Sequence, residues 1–198
     1  MARTEWSPRE RIVYSAAQLI RTQGVNATGV REIVERADAS RGSLQHYFPG
    51  GKEQLVREAV DWAGRFAGSA VGRFLADLDP PTPSGLFAAM ADQWRSEFRR
   101  CGYDRGCPVV AATAETAAVS DGLRRAASAA FHTWQEPVRD ALVSMAVPQA
   151  RADSLAVLMI SALEGAIIMA RAHQDTGPLD TVVAELTPLL DNAVPPPK

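Results

Sequence analysis

The fold of this chain is decided by residues 27–48, which read ATGVREIVERADASRGSLQHYF. Two apolar stripes at helical spacing lie in this stretch, one formed by Val30, Ile33, Val34 and Ala37 and the other by Leu44, Tyr47 and Phe48. Only residues 38–40 separate the two predicted helices, so they must pack against each other through a tight turn. Asp38 is expected to adopt a left-handed backbone conformation there, which Asp tolerates better than most residues with a side chain. The spacing predicts a helix-turn-helix.

The second of these helices carries the chemistry. Ser40 is its predicted N-cap, and the positions expected to face outward are Arg41, Gly42, Ser43, Gln45 and His46. Such side chains read base edges or bind phosphate when a helix enters the major groove by its N-terminal end, and a glycine lets the backbone approach closely. This helix is therefore predicted to bind double-stranded DNA.

Three residues outside that polar face are candidates for phosphate contacts. Thr28 is the predicted cap of a helix over residues 29–37, whose first N–H groups suit an anion, and Lys52 opens a later helix. Tyr47 can offer its hydroxyl to the DNA backbone while its ring packs inward.

Proline, glycine and capping residues divide the remaining chain into helix-sized segments. Ser7-Pro8-Arg9-Glu10 is a capping box that opens a first helix, which is expected to end at Gly24. Long helices are predicted over residues 52–78, from Ser84 to Cys101, over 121–145 with Pro137 inside, and from Pro148 and Pro178 onward, with a shorter helix from Pro108. Period-2 runs typical of strands are absent from the sequence. The prediction is an all-α chain of nine or ten helices.

Two domains are expected along the chain. Residues 1–51 form a three-helix DNA-binding domain, and residues 52–198 form a helical ligand-sensing and dimerisation domain. The long helix over residues 52–78 joins them, so its tilt would couple ligand binding to DNA affinity.

Composition narrows the possible functions. The net charge is −2, and residues 1–60 hold nine Lys/Arg against seven Asp/Glu, an excess that permits nucleic-acid binding without indicating it. The N-terminus lacks the apolar segment of a signal peptide. The nearly uncharged stretch 154–170 contains Glu164 and is shorter than the ~20 residues of a membrane span. A cytoplasmic protein without membrane association is expected.

Catalytic, cofactor and metal sites are not indicated. A phosphate-binding loop and a nucleophile elbow are both missing from the sequence, which disfavours an enzyme. Cys101 and Cys107, taken with His132 and His173, match no standard zinc spacing, so neither a metal nor a cofactor is expected. A redox role for the two thiols stays open.

The residues quoted above resemble the DNA-binding domain of the TetR family, over about residues 8–58. The likeness is carried by residues 27–33, 40–48 and 51–55. It implies base or nearby phosphate contacts by Arg31, Arg41, Ser43 and His46, and phosphate contacts by Thr28, Tyr47 and Lys52. It further implies a repressor that binds a palindromic operator as a homodimer and is released by a small-molecule effector.

Three positions depart from the family's pattern. Gly29 replaces the usual Ser or Thr and removes a possible phosphate contact, and Asp38 stands where a glycine commonly makes the turn. Gln45 replaces a common aromatic residue, so the base preference of that position does not carry over.

Two further stretches, PGGKEQL at 49–55 and GCPVVAATAE at 106–115, resemble the TetR subgroup of lincomycin-resistance and flavonoid-responsive repressors. This resemblance implies that the regulated gene encodes an efflux pump or a modifying enzyme.

The C-terminal two-thirds of the chain contain a candidate dimer interface. A wide apolar stripe with small residues over 155–170 and a second stripe on the last helix favour a two-fold dimer in which these helices and their mates form a four-helix bundle. The alternative is the core of a monomer. The candidate interface residues are Leu155, Leu158, Ala162, Ala166, Val182, Leu186 and Leu189.

A ligand pocket is expected in the same region. Bulky side chains with a few polar groups suit a flat aromatic or apolar effector. The candidates are Trp94, Phe98, Thr113, Glu115, Phe131, Trp134, Met159 and Leu163. Two other functions stay open: a DNA-binding protein that answers no ligand or answers a partner protein, and a small-molecule enzyme built on a helical bundle.

Overall fold

The computed structural model describes residues 6–195. These residues form nine α-helices and no strand, which confirms the predicted all-α class. The helices are α1 Pro8–Ala27, α2 Val30–Arg36, α3 Arg41–Tyr47, α4 Gly51–Ala76, α5 Pro83–Cys101, α6 Pro108–Thr116, α7 Asp121–Ser144, α8 Gln149–His173 and α9 Gly177–Asp191.

Local capping signals place several helix ends where the sequence predicts them. In the capping box of α1, the Glu10 N–H donates to Ser7 Oγ at 3.2 Å and the Ser7 N–H donates to Glu10 Oε2 at 2.8 Å. The Ser7 hydroxyl and N–H both bond the carboxylate, and they hold the pKa of Glu10 below its usual value. Ser40 caps α3 by accepting from the Ser43 N–H at 3.0 Å. Asp38 is left-handed, with φ 50°, as predicted.

Two predicted caps are wrong. The N-cap of α2 is Gly29, and Thr28 is the C-cap of α1, because α1 continues past its predicted end at Gly24. Gly24 itself has φ 82° and ψ 176°, so it kinks α1 without ending it. Thr82, rather than Ser84, caps α5 by accepting from the Gly85 N–H at 3.0 Å.

The described residues divide into two compact units. The N-terminal unit comprises residues 6–65 together with Cys107–Phe131, and the C-terminal unit comprises Phe66–Gly106 together with residues 132–195. Within the N-terminal unit, α6 packs along α1, and Val109, Ala112 and Leu123 join the core of the helix-turn-helix. The predicted boundary at residue 51 assumed that each domain is continuous along the chain, whereas residues 107–131 rejoin the N-terminal unit. As a division by function it stays a prediction.

The C-terminal unit is built around α8. Leu155, Met159, Leu163 and Ile167 form its buried side, and α9 packs against both α8 and α5. Among the described residues, α8 is the one helix long and apolar enough to cross a membrane, but half of its apolar window is buried inside the chain.

An arginine on α8 holds the loop that follows α5. Arg171 Nε donates to the Tyr103 carbonyl at 3.1 Å, and its Nη2 donates to the Asp104 carbonyl at 3.0 Å. Gly106 lies so close that a Cβ there would be 2.5 Å from Arg171 Nη1. This loop leads directly into α6.

Candidate nucleic-acid interface

The turn between α2 and α3 is held by backbone and side-chain hydrogen bonds. The Ala39 N–H donates to the Val34 carbonyl at 3.1 Å. From α1, Arg11 Nε donates to the Ala37 carbonyl at 3.0 Å, and its Nη2 donates to the Asp38 carbonyl at 3.3 Å. A charged donor from a third helix thus binds the carbonyls at and just before the turn. The three helices form the compact arrangement of a helix-turn-helix.

Helix α3 directs its apolar residues inward and its polar residues outward. Leu44 and Phe48 are buried in the core of the N-terminal unit, whereas Gly42, Gln45 and His46 are exposed. These exposed residues are the ones predicted to face base edges, and their contact with DNA stays a prediction. The side chain of Arg41 lies outside the described residues, although its backbone begins α3.

The predicted polar residues at the two ends of α3 already make contacts within the protein. The hydroxyls of Ser40 and Ser43 lie 2.9 Å apart, and Ser40 Oγ also accepts the Ser43 N–H. Because a hydroxyl has one donor and two acceptor positions, the Ser43 hydroxyl keeps capacity for a DNA contact. At the other end, the half-buried Tyr47 packs edge-on against His46, with ring centroids 5.0 Å apart.

Arg31 on α2 is a candidate for contact with DNA phosphate or bases. Its side chain is 77% exposed, and its Nε bonds Glu35 Oε1 at 2.8 Å. That hydrogen bond raises the pKa of Arg31 above its usual value. Such exposed pairs are weak, so a phosphate or base can replace the carboxylate. The pair borders a groove of about 400 Å³ that Val34 and Ala39 also line.

The two predicted phosphate contacts outside α2 and α3 have different surroundings. Thr28 is fully buried, and its hydroxyl donates to the Gly24 carbonyl at 2.6 Å. This bond to the carbonyl four residues back stabilises the α1–α2 junction, and the buried side chain does not reach phosphate. Lys52 is half-buried in the first turn of α4, where a helix N-terminus also favours an anion.

Comparison with known proteins assigns the chain to a family. Residues 12–59 match the family described as "Bacterial regulatory proteins, tetR family". Residues 83–185 match "Transcriptional regulator LmrA/YxaF-like, C-terminal domain". The chain is a TetR-family transcriptional regulator. The resemblance inferred from the sequence, including its subgroup, is confirmed.

Several relatives of this TetR-family regulator match over nearly their whole length. An uncharacterized HTH-type transcriptional regulator of Mycobacterium tuberculosis is 38% identical, with 92% of this chain and 94% of the relative covered. The HTH-type regulator YxaF of Bacillus subtilis is 31% identical over the same shares. LmrA of Bacillus subtilis is 28% identical, with 86% and 90% covered. The family consists of regulators, and the protein is not an enzyme.

Solved structures show the same fold. A TetR regulator from Legionella pneumophila aligns with a TM-score of 0.79 at 19% identity, covering 93% of this chain and 98% of that one. Reduced NemR from E. coli aligns with a TM-score of 0.77 at 20% identity, covering 97% and 100%.

The predicted ligand residues of the regulator fall into both units. Phe98, Trp134, Met159 and Leu163 are buried in the C-terminal unit, with Trp94 half-buried, whereas Thr113, Glu115 and Phe131 belong to the N-terminal unit. Thr113 and Glu115 lie there because α6 packs on α1, and Phe131 lies on the part of α7 that belongs to the same unit. The Glu115 carboxylate accepts the Asn26 N–H at 2.7 Å, and the Thr113 hydroxyl donates to Val109 within α6. Sequence reasoning missed the role of Glu115 because its partner lies 89 residues away.

The predicted dimer residues are divided among buried, half-buried and exposed positions. Leu155 and Ala166 are buried within the chain, Ala162, Val182 and Leu186 are half-buried, and Leu158 and Leu189 are exposed. Three apolar residues outside that prediction are also exposed: Val157, Ile168 and Met169, at 48%, 51% and 53%. Because α8 is apolar on most of its sides, its sequence does not reveal which side packs into the core of the same chain.

The described residues contain no cluster of three or more His, Cys, Asp or Glu side chains able to hold a metal ion. Cys101 accepts a hydrogen bond from Arg105 Nη1 at 3.4 Å. Cys101 and Cys107 belong to different units, and a redox role for them stays open.

Gly42 offers a test of close DNA approach. A Cβ there would meet Ser40 Oγ at 3.7 Å, an ordinary contact, so the protein's own packing does not require glycine. We expect Gly42→Ala to raise the free energy of unfolding by about 0.5–1 kcal/mol, as Ala replaces Gly in a helix. We expect it also to weaken operator binding about tenfold, because the methyl group separates the α3 backbone from the DNA. Urea unfolding and fluorescence anisotropy measure the two effects. Unchanged operator affinity would mean that α3 does not approach DNA at this position.

Proposed function

We propose that the regulator is a repressor that binds a palindromic operator as a homodimer and is released by a small aromatic or apolar effector. The observation that carries this proposal is the exposed apolar face of α8 and α9. It supports a second copy of the chain as partner, and the two-fold operator follows from that symmetry. The cytoplasm is the expected location.

The apolar face is defined by Val157, Leu158, Ile168 and Met169 on α8 and Leu189 on α9. Small residues lie among them on the outward side of α8, namely Ser161, Ala162 and Gly165. Large exposed side chains beside small ones allow two helices to approach closely and interdigitate. A contiguous exposed apolar face of this kind marks an interaction site in a soluble protein.

A dimer also meets the requirement of strong and specific DNA binding. One copy of α3 covers few phosphates and few base pairs, and phosphate contacts supply much of the affinity. Two copies related by a two-fold axis would reach half-sites one DNA turn apart, roughly 34 Å, or a little more. The corresponding operator is an inverted repeat.

The effector is proposed to bind among the apolar side chains of the C-terminal unit. Phe98 stacks with Tyr103 at a centroid distance of 4.8 Å and contacts Trp94 at 5.8 Å, giving a cluster of rings on α5 and the loop after it. Glu164 on α8 is a carboxylate only 6% exposed. Aromatic surface with few polar groups favours a flat, largely apolar molecule.

Ligand and DNA binding are proposed to be coupled through helices that both units share. Helices α4 and α7 each run from one unit into the other. A ligand that favours one arrangement of these helices lowers DNA affinity, and DNA then lowers ligand affinity by the same factor. A coupling of about 2–3 kcal/mol corresponds to a change of roughly thirty- to a hundred-and-fiftyfold.

The test begins with a duplex selected by the wild-type protein from a random-sequence library. Fluorescence anisotropy and sedimentation would give the affinity and the number of chains bound. We expect an inverted repeat with the chains bound in pairs, and at least one compound from a panel of aromatic antibiotics and flavonoids to weaken binding about thirtyfold. A single chain on an unrepeated site would contradict the dimer. Insensitivity to every compound would favour the rival ligand-independent regulator.

A further inference from the structure

We propose that Glu115 is a positioning residue for operator binding. From α6, its carboxylate binds the junction between α1 and α2 and so sets the direction in which α2 begins. This role differs from the ligand contact predicted from the sequence, and it is independent of any effector.

The geometry of the junction creates the need for an outside acceptor. With φ 82° and ψ 176°, Gly24 interrupts the helical hydrogen-bond pattern of α1. Backbone N–H groups just after such an interruption lack their usual partner four residues earlier. Asn26 has its N–H directed to Glu115 Oε2 at 2.7 Å instead. A hydrogen bond to a charged acceptor is stronger than one between neutral groups.

Gly24 is also shaped to admit the carboxylate. A Cβ at this position would overlap Glu115 Oε1 and lie 2.8 Å from its Cδ. The positive φ of Gly24 and the approach of Glu115 therefore require the same residue type. On the other side of the junction, the Thr28 hydroxyl donates to the Gly24 carbonyl at 2.6 Å. Hydrogen bonds from Asn26 to Glu115 and from Thr28 to Gly24 thus hold the segment 24–28.

The start of α2 depends on this segment because its own cap is weak. Its N-cap is Gly29, which has no side chain to accept from the first N–H groups of the helix. The direction of α2 consequently depends on the preceding junction as well as on its packing against α1 and α3. Helix α2 carries Arg31 and packs on α3, so a loosened junction lowers the fraction of molecules in which both helices fit DNA together. The measured affinity falls by that fraction.

The experiment compares Glu115→Ala, Glu115→Gln and Glu115→Asp in the full chain, using the duplex selected by the wild type. We expect Glu115→Ala to weaken binding about tenfold. Glu115→Gln should bind within about twofold of wild type, because its amide oxygen still accepts from the Asn26 N–H. Glu115→Asp should lose affinity, because its carboxylate is one methylene short of Asn26. Thr113→Ala is the matched control, since that hydroxyl bonds within α6.

Further measurements separate positioning from mere stability. Dissociation constants are taken well below the melting temperature and corrected only for the fraction of unfolded protein, and exchange of the Asn26 amide hydrogen is followed in the free protein. We expect faster exchange in the Ala and Asp variants and wild-type exchange in the Gln variant. If Glu115→Ala does not fold, the Asp and Gln variants carry the comparison.

Two results would overturn the proposal: wild-type affinity in the Ala or Asp variant, or failure of glutamine to restore binding. If the wild-type protein selects no duplex at all, the fault lies with DNA recognition itself and not with Glu115.

Discussion

We expect Ile168→Asp to convert the regulator into a monomer and to abolish operator binding at concentrations that saturate the wild type. Ile168 is 51% exposed in the apolar face of α8. In a two-fold dimer each substitution occurs twice, so the interface would bury two unpaired carboxylates. Even about 1.5 kcal/mol for each would raise the dimer dissociation constant more than a hundredfold, and larger penalties are common.

Sedimentation velocity with the purified variant measures the association state, and anisotropy with the selected duplex measures binding. Val119→Asp is the matched control, because Val119 is 82% exposed but belongs to the N-terminal unit and not to this face of α8 and α9. That control should remain dimeric. A dimer of the Ile168→Asp variant with normal affinity would place the interface elsewhere.

The second large effect is expected at Gly24. Replacement by alanine forces a Cβ into the Glu115 carboxylate and into a backbone conformation at φ 82° that is open almost only to glycine. Such backbone strain alone costs about 1–3 kcal/mol. With the displaced carboxylate added, we expect the free energy of unfolding to fall by about 3–4 kcal/mol. Urea unfolding with an unchanged m-value would report this loss.

Gly72→Ala is the contrasting substitution for this measurement. Gly72 is exposed in α4, and a Cβ there meets no atom within 4 Å among the described residues. Alanine should stabilise this helix by about 0.5–1 kcal/mol. In the double variant Gly24→Ala/Glu115→Ala, the overlap with the carboxylate is removed but the backbone strain remains. The free energy of unfolding should therefore be partly restored, and the effects of the two single substitutions should not add. Equal stability of the two glycine variants would refute the argument for Gly24.

The helix-turn-helix could be predicted because its signals act over three or four residues. Ser7 and Ser40 cap their helices through bonds to the third residue ahead, and Asp38 turns left-handed between two helices whose apolar spacing demands a tight connection. The same short-range logic put Gly42, Gln45 and His46 on the outer side of α3. Each of these features depends on residues only a few positions apart along the chain, so it can be predicted from the sequence alone.

Packing between distant segments decided the rest. Thr28 could equally have capped α2, and it was buried only because α1 continues through a kink at Gly24. Glu115 could have faced a ligand, and it bonds Asn26 only because α6 lies along α1. Helix α8 is apolar on most of its sides, so its sequence does not show which side is exposed. Packing within the C-terminal unit buries Leu155 and leaves Ile168 exposed. Local sequence determined where the helices begin and what each can offer, whereas tertiary packing chose which of those groups are used inside the fold, because burial depends on partners that the chain brings together from far apart.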